Sequence, residues 1–164
     1  MRGITIEIDR LTRSIEDAKT GERYETVLIR ILPEQANEIK KSHWLFDWKS
    51  EILVPGREVY KLIKVIDPKV IHGLVSLEDM HNPIQVHLVE SAKFNRGHTK
   101  HNYGVAGNLF AFACKLSFEK GYQGFVAFES KTKLIDHYVE SLGAKILWRN
   151  RLVLEQEVAK NWII

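Results

Sequence analysis

Residues 84–128 constrain the fold more than any other stretch of the chain. They read as an apolar strand over 84–90, a long loop over 91–103, a helix from about Gly107 to Lys120, and a short, continuously apolar strand over 125–128. Two strands separated by a helix of that length predict a parallel crossover, since parallel neighbours need a connection of a dozen residues or more. Gly121 suits the end of the helix, and the unbroken apolar run after it suits a strand covered on both faces. Upstream, residues 58–66, 70–77 and 84–90 are separated by the turns Asp67-Pro68 and Asn82-Pro83, which predicts a three-strand meander. Downstream, residues 131–142 form an amphipathic pattern, with Leu134, Ile135, Tyr138 and Leu142 on one side and Gly143 as the stop. Residues 145–148 and 151–154 read as closing strands, and the tail as a short helix.

The first third is less regular. Ile4, Ile6 and Ile8 alternate with polar neighbours as a short strand does, and residues 24–32 read as a strand stopped by Pro33. Thr20-Gly21-Glu22 fits either a helical turn or a hairpin. Pro33 suits the first position of a helix running to Ser42, and Trp44 and Trp48 would then share one helical face. Together these elements predict an α/β fold: a mixed, mostly antiparallel central sheet flanked by helices, in a single domain spanning residues 1–164.

Composition narrows the class. A chain of 164 residues with 45% hydrophobic and 27% charged residues has the material for one buried core. The single cysteine, Cys114, excludes an internal disulfide, and on an apolar helix it reads as a small buried hydrophobe. No charged-then-apolar leader and no membrane-length apolar run is evident, so a cytoplasmic protein with no membrane partner is expected. The net charge of +3 is mild and mostly intermixed, so nucleic acid is not the expected partner. One loop, residues 91–103, departs from that mixing: it carries Lys93, Arg96, His98, Lys100 and His101 and no acidic residue. His98 and His101 lack cysteine or carboxylate companions, so no metal site is expected.

The segment His101-Asn102-Tyr103-Gly104-Val105-Ala106-Gly107-Asn108-Leu109 opens the central helix. Small residues there let the backbone approach a ligand, and the free N–H groups of a first helical turn suit a pyrophosphate. The segment resembles the acetyl-CoA signature of the GNAT superfamily, Gln or Arg, two residues, Gly, one residue, then Gly or Ala. The later run Leu134-Ile135-Asp136-His137-Tyr138-Val139-Glu140-Ser141-Leu142-Gly143-Ala144 is similar to the closing motif of the same family. The resemblance covers residues 24–154 and leaves 1–23 as an N-terminal extension. His101 stands where the family has Gln or Arg, Lys131 where many members have Asn, and the loop before Gly104 is longer than usual.

The resemblance implies a cytoplasmic acetyl-CoA-dependent N-acyltransferase with a CoA-binding turn between the fourth strand and the following helix. It implies cofactor contacts from Leu88, Val89, Glu90, His101, Gly104, Val105, Ala106, Gly107, Asn108, Leu109 and Lys131. Tyr138 takes the position of the general acid, with packing on the apolar stripe as its other reading. For the base, alternation sets Val86, Leu88 and Glu90 on one face and His87 on the other, so the two cannot both face the substrate. Glu90, at the strand's end beside the cofactor site, is the better candidate, with a carboxylate pairing to the basic loop, a water-relayed base or no base as the other readings. Trp44, Phe46 and Trp48 suit core packing better than an acceptor pocket. The partners implied are acyl-CoA and an unidentified amine, and a homodimer is left open. Two other classes compete: a non-catalytic GNAT-like module that binds acyl-CoA or another protein, and, ranked last, a nucleic-acid binder using the basic loop.

Overall fold

The computed structural model describes Ile4 and residues 14–163. The expected strand over Ile4, Ile6 and Ile8 therefore lies outside the described residues apart from Ile4. The region around Thr20 is a hairpin: β1 (Ile15–Asp17) pairs antiparallel with β2 (Arg23–Tyr24). Asp17 organises the turn, its Oδ1 accepting from the amides of Lys19 and Thr20 at 2.9 Å. Such local carboxylate–amide bonds are why Asp favours turns over helix interiors.

After β3 (Thr26–Ile31), Pro33 opens a short 3-10 helix, Pro33–Glu38, and not an α-helix reaching Ser42. Ala36 and Ile39 are the only apolar side chains between Pro33 and His43, so no amphipathic face exists for packing to hold. Ile39 leaves helical geometry and buries its side chain. The aromatic segment also differs from expectation. Asp47 caps α1 (Trp48–Ile52) by accepting from Ser50 N at 3.2 Å, which leaves Trp44 upstream on extended backbone. The two tryptophans thus share a core but not a helical face.

β4 (Arg57–Lys64), β5 (Gly73–Asp79) and β6 (Ile84–Ser91) make the meander. Within the loop after β6, Asn102 and Tyr103 form β7, which pairs with β1 in a small sheet of order β2-β1-β7. α2 (Val105–Glu119) starts two residues earlier than read from the sequence, because Gly104 is its N-cap at a left-handed φ of 90°. The chain continues through β8 (Val126–Glu129), α3 (Ile135–Leu142), β9 (Lys145–Trp148), β10 (Arg151–Leu154) and α4 (Gln156–Ile163).

The main sheet has seven strands in the order β3-β4-β5-β6-β8-β10-β9, antiparallel except for β6 against β8. This is the mixed, mostly antiparallel sheet expected, with the crossover α2 between its two parallel strands. Cores form on both faces. Leu62, Val75, Leu77, Ile84 and Val86 pack under Leu109, Phe110, Ala113 and Cys114 of α2. On the opposite face Ile31, Val59, Leu74 and Leu88 pack against Ile39, Trp48 and Ile52. Among the described residues no helix is long and apolar enough to cross a membrane.

Candidate functional site

The site begins where β6 leaves β8. Their parallel pairing joins Ile84, Gln85 and Val86 to Val126, Ala127 and Phe128 and stops there, although β6 runs on to Ser91. At the same point the pairing of β6 with β5 shifts register: Leu77 faces Val86 and Ser76 faces Leu88, leaving His87 as an extra residue. A bulge of this kind bends its strand and reverses the alternation beyond it. Accordingly Val86 and Val89 lie in the α2-side core, whereas Leu88 lies in the α1-side core. The expectation that Val86, Leu88 and Glu90 share a face, with His87 opposite, is therefore corrected. His87 and Glu90 both reach partners on the α1 side.

The far wall of the splay carries Ile4. Ser130 N donates to Asn150 O, so the edge that Ser130 shows is turned toward β10. The neighbouring groups, Glu129 O and Lys131 N, face the other way, toward β6, and both bond to Ile4: Ile4 N to Glu129 O at 2.6 Å and Lys131 N to Ile4 O at 3.2 Å. Ile4 thus forms a parallel bridge with Ser130 inside the splay, and its side chain is 2% exposed in the α2-side core.

The glycine turn sits at the far end of β6. Gly104 O accepts from Asn108 N at 3.0 Å and from Asn108 Nδ2 at 2.7 Å, closing the first turn of α2. Val105, Ala106, Gly107, Asn108 and Leu109 are all buried. Part of the cover comes from the N-terminal extension: Asn108 Nδ2 also donates to Ser14 O at 3.2 Å, and Ile15 is fully enclosed in the α2-side core. His101 is exposed, its ring 5.8 Å from that of Phe94 and its carbonyl accepting from Ala18 N. Lys131 is exposed beside Ile4. The basic loop is tied down: Lys93 Nζ donates to Ser42 O at 3.1 Å, and Lys100 Nζ lies over the Tyr103 ring.

Glu90 lies beneath the aromatic segment. Its Oε2 accepts from Leu45 N at 2.7 Å, and its Oε1 accepts from Phe46 N at 3.2 Å and from Trp48 Nε1 at 2.8 Å. With only 3% of the residue exposed, this carboxylate anchors the segment leading into α1. At the bulge, His87 Nε2 lies 2.7 Å from Glu78 Oε1, with both side chains partly exposed. On the opposite face Tyr138 is fully buried, its ring edge-on to Phe128 at 5.4 Å. Phe128 is the last β8 residue paired with β6, so Tyr138 and His87 flank the apex of the splay from opposite faces. Cys114 is fully buried, which pushes its thiol pKa up to about 12, and it packs as an apolar side chain.

Two features escaped the sequence reading. One is the bulge; its signal was the adjacent apolar pair Leu88-Val89, which breaks a strict period of two. The other is a buried polar chain beneath the basic loop: Asn102 Nδ2 donates to Asn95 Oδ1 at 2.9 Å, and Asn95 Nδ2 to His72 Nδ1 at 3.1 Å. Burial pushes the His72 pKa down to about 4, so the ring is neutral near pH 7. No local sequence signal links residues 72, 95 and 102.

No family model matches the chain, and no curated protein matches it. Solved structures do. The crystal structure of a KacTA–DNA complex superposes with a TM-score of 0.59 at 12% identity, covering 84% of this chain and 97% of that one. A structure of AtaTR bound with AcCoA gives a TM-score of 0.54 at 14% identity, covering 83% and 96%. With its sheet order, its parallel crossover and these neighbours, the chain has a GNAT-like fold.

Proposed function

We propose that the protein is an acyltransferase that moves an acetyl or other short acyl group from acyl-CoA to an amine by direct attack on the thioester. The observation that carries this reading is the parting of β6 and β8 at the His87 bulge, with the amino end of α2 at the far end of the same strand. A similar structure described as bound with AcCoA supports the same cofactor. In this reading the main chain of Leu88, Val89 and Glu90 pairs with the amide-bearing arm of CoA. The turn at Gly104, Val105, Ala106, Gly107, Asn108 and Leu109, with His101 and Lys131 nearby, receives the phosphates.

The chemistry needs a base on the acceptor side and an acid on the thiol side. His87 suits the base better than Glu90, whose oxygens already hold three N–H groups. With Nε2–H donating to Glu78, Nδ1 is the ring nitrogen left to accept. The amine nitrogen then attacks the carbonyl carbon as its proton passes to His87 Nδ1. A backbone N–H of β6 stabilises the oxyanion, the C–S bond breaks, and the Tyr138 hydroxyl protonates the departing thiolate. Glu78 and Glu90 are positioning groups, the first for His87 and the second for the segment before α1.

A second reading has its own observation. Ile4 fills part of the splay and Ser14 and Ile15 cover the first turn of α2, which suits a GNAT-like module that holds a partner and not a cofactor. Calorimetric titration of the intact protein, and of Ile4→Asp, with acetyl-CoA and CoA separates the two. Micromolar binding to either form supports the acyl-CoA reading. Folded protein that binds in neither form overturns it and leaves the module.

A further inference from the structure

Beyond the C-terminal end of β6, on the side of β5 and away from the splay, a cavity of about 430 Å³ opens at the edge of the α1-side core. That size suits a small organic ligand. Its walls come from three separate stretches of chain. Trp44 and Lys40 belong to the segment before α1, Lys69 and Ile71 to the connection between β4 and β5, and Lys93 and Phe94 to the start of the basic loop. Two aromatic rings and an aliphatic wall thus meet three ammonium groups around one opening.

The charges are not cancelled locally. Glu38 is the one acidic residue lining the cavity, and its carboxylate is held by Lys61 Nζ at 3.0 Å. Lys93 is positioned by the neutral carbonyl of Ser42 and not by a carboxylate, while Lys40 and Lys69 have no ion pair among the described residues. The basic residues Arg96, His98 and Lys100 continue the same loop outward from Lys93. Ammonium groups gathered around a concave apolar wall favour a multiply charged anion, and aromatic rings favour a flat group attached to it. Phosphate matches three separate point charges better than a carboxylate, which is suited to a single planar fork.

We propose that this cavity is a binding site for a nucleoside monophosphate, with the base against Trp44 and Phe94 and the phosphate among Lys40, Lys69 and Lys93. The site is separate from the cofactor cleft, because it lies on the β5 side of β6 whereas the splay lies on the β8 side. It does not depend on acyl transfer.

The test is calorimetry on the full-length protein with AMP and UMP, alongside adenosine, inorganic phosphate and a ten-nucleotide single-stranded RNA. Binding of the monophosphates at about 10–100 μM is expected, with adenosine and phosphate at least about tenfold weaker. Lys69→Glu, on an exposed loop residue, should weaken AMP at least about tenfold and leave acetyl-CoA affinity unchanged. Lys40→Glu should act the same way, in case the first variant disturbs its loop. Monophosphate binding that is absent, or untouched in both folded variants, overturns the proposal. So does adenosine binding as tightly as AMP, or binding of the RNA alone, which would make the surface a nucleic-acid contact.

Discussion

Replacing Glu90 distinguishes an anchor from a base. Its two oxygens take three N–H donors, one of them the indole of Trp48, which is 1% exposed. Hydrogen bonds to a charged group contribute about 1.5–3 kcal/mol each, and a buried donor left unpaired costs about 1–3 kcal/mol. Glu90→Ala strands the indole N–H and both amides, of which the Leu45 and Phe46 amides regain water in part, so the expected loss is about 4 kcal/mol. Glu90→Gln keeps one oxygen for Phe46 N and Trp48 Nε1 but turns an NH2 toward Leu45 N, donor against donor, for a loss of about 2 kcal/mol. At about 2–4 °C per kcal/mol for a chain of this size, Tm should fall by about 12 °C and about 6 °C respectively. Thermal unfolding followed by circular dichroism, with near-ultraviolet signal for the tryptophans, measures both. A Glu90→Gln protein that keeps the wild-type Tm would refute the anchoring role and return Glu90 to the list of bases.

Two further outcomes follow from packing and titration. The unfolded chain protonates His72 near 6.5 and the folded protein only near 4, so stability should fall as pH drops through that window, by about 3 kcal/mol in all; urea unfolding at pH 7.5 and 4.5 should show a smaller drop for His72→Gln, and equal drops would remove His72 as the cause. A Cβ on Gly73 would sit 2.8 Å from Val105 Cγ1 and 3.3 Å from Leu109 Cδ1, so Gly73→Ala should cost about 1–3 kcal/mol, with Val105→Ala in the same chain restoring part of it. Simple additivity in that pair would show that the strain is relieved elsewhere.

Most strands and helices after residue 57 were legible because they bury a face of their own, and burial imposes a period on the sequence; β9, whose four residues are all exposed, is an exception. The region between Pro33 and Trp48 was not, because its structure is held by single groups: the Gln35 side chain on Leu32 N, the Asp47 cap, and Glu90 reaching across 42 residues to Trp48. A pattern of apolar residues carries no trace of such bonds. β7 was missed for a related reason. It is two residues long and exists only because β1, more than eighty residues earlier, supplies its partner. At the candidate site the glycine turn before α2 and the buried face of α3 were legible, whereas the face occupied by His87 depended on one inserted residue. Alternation is a rule for unbulged strands, and the parting of β6 from β8 is where a bulge has a use.

Whether the splay can admit a cofactor is decided by the strength with which Ile4 holds it. Burying an isoleucine is worth about 1.5–3 kcal/mol, and the two backbone bonds to Glu129 and Lys131 about 0.5–1.5 kcal/mol each. The total, about 2.5–6 kcal/mol, is what a ligand must overcome if it needs the same wall. A ligand of micromolar intrinsic affinity brings about 8 kcal/mol, so displacing Ile4 leaves it near millimolar. Ile4, however, bonds to the β8 wall, and the arm of CoA would pair with the β6 wall. If the cleft is wide enough for both, Ile4 costs the cofactor nothing and forms the back of its channel. Acetyl-CoA should then bind equally well to the wild type and to Ile4→Asp. If the walls are too close, Ile4→Asp should gain about two to four orders of magnitude in affinity. Either result keeps the acyl-CoA reading, and the ratio of the two affinities measures how far the β6 bulge opens the sheet.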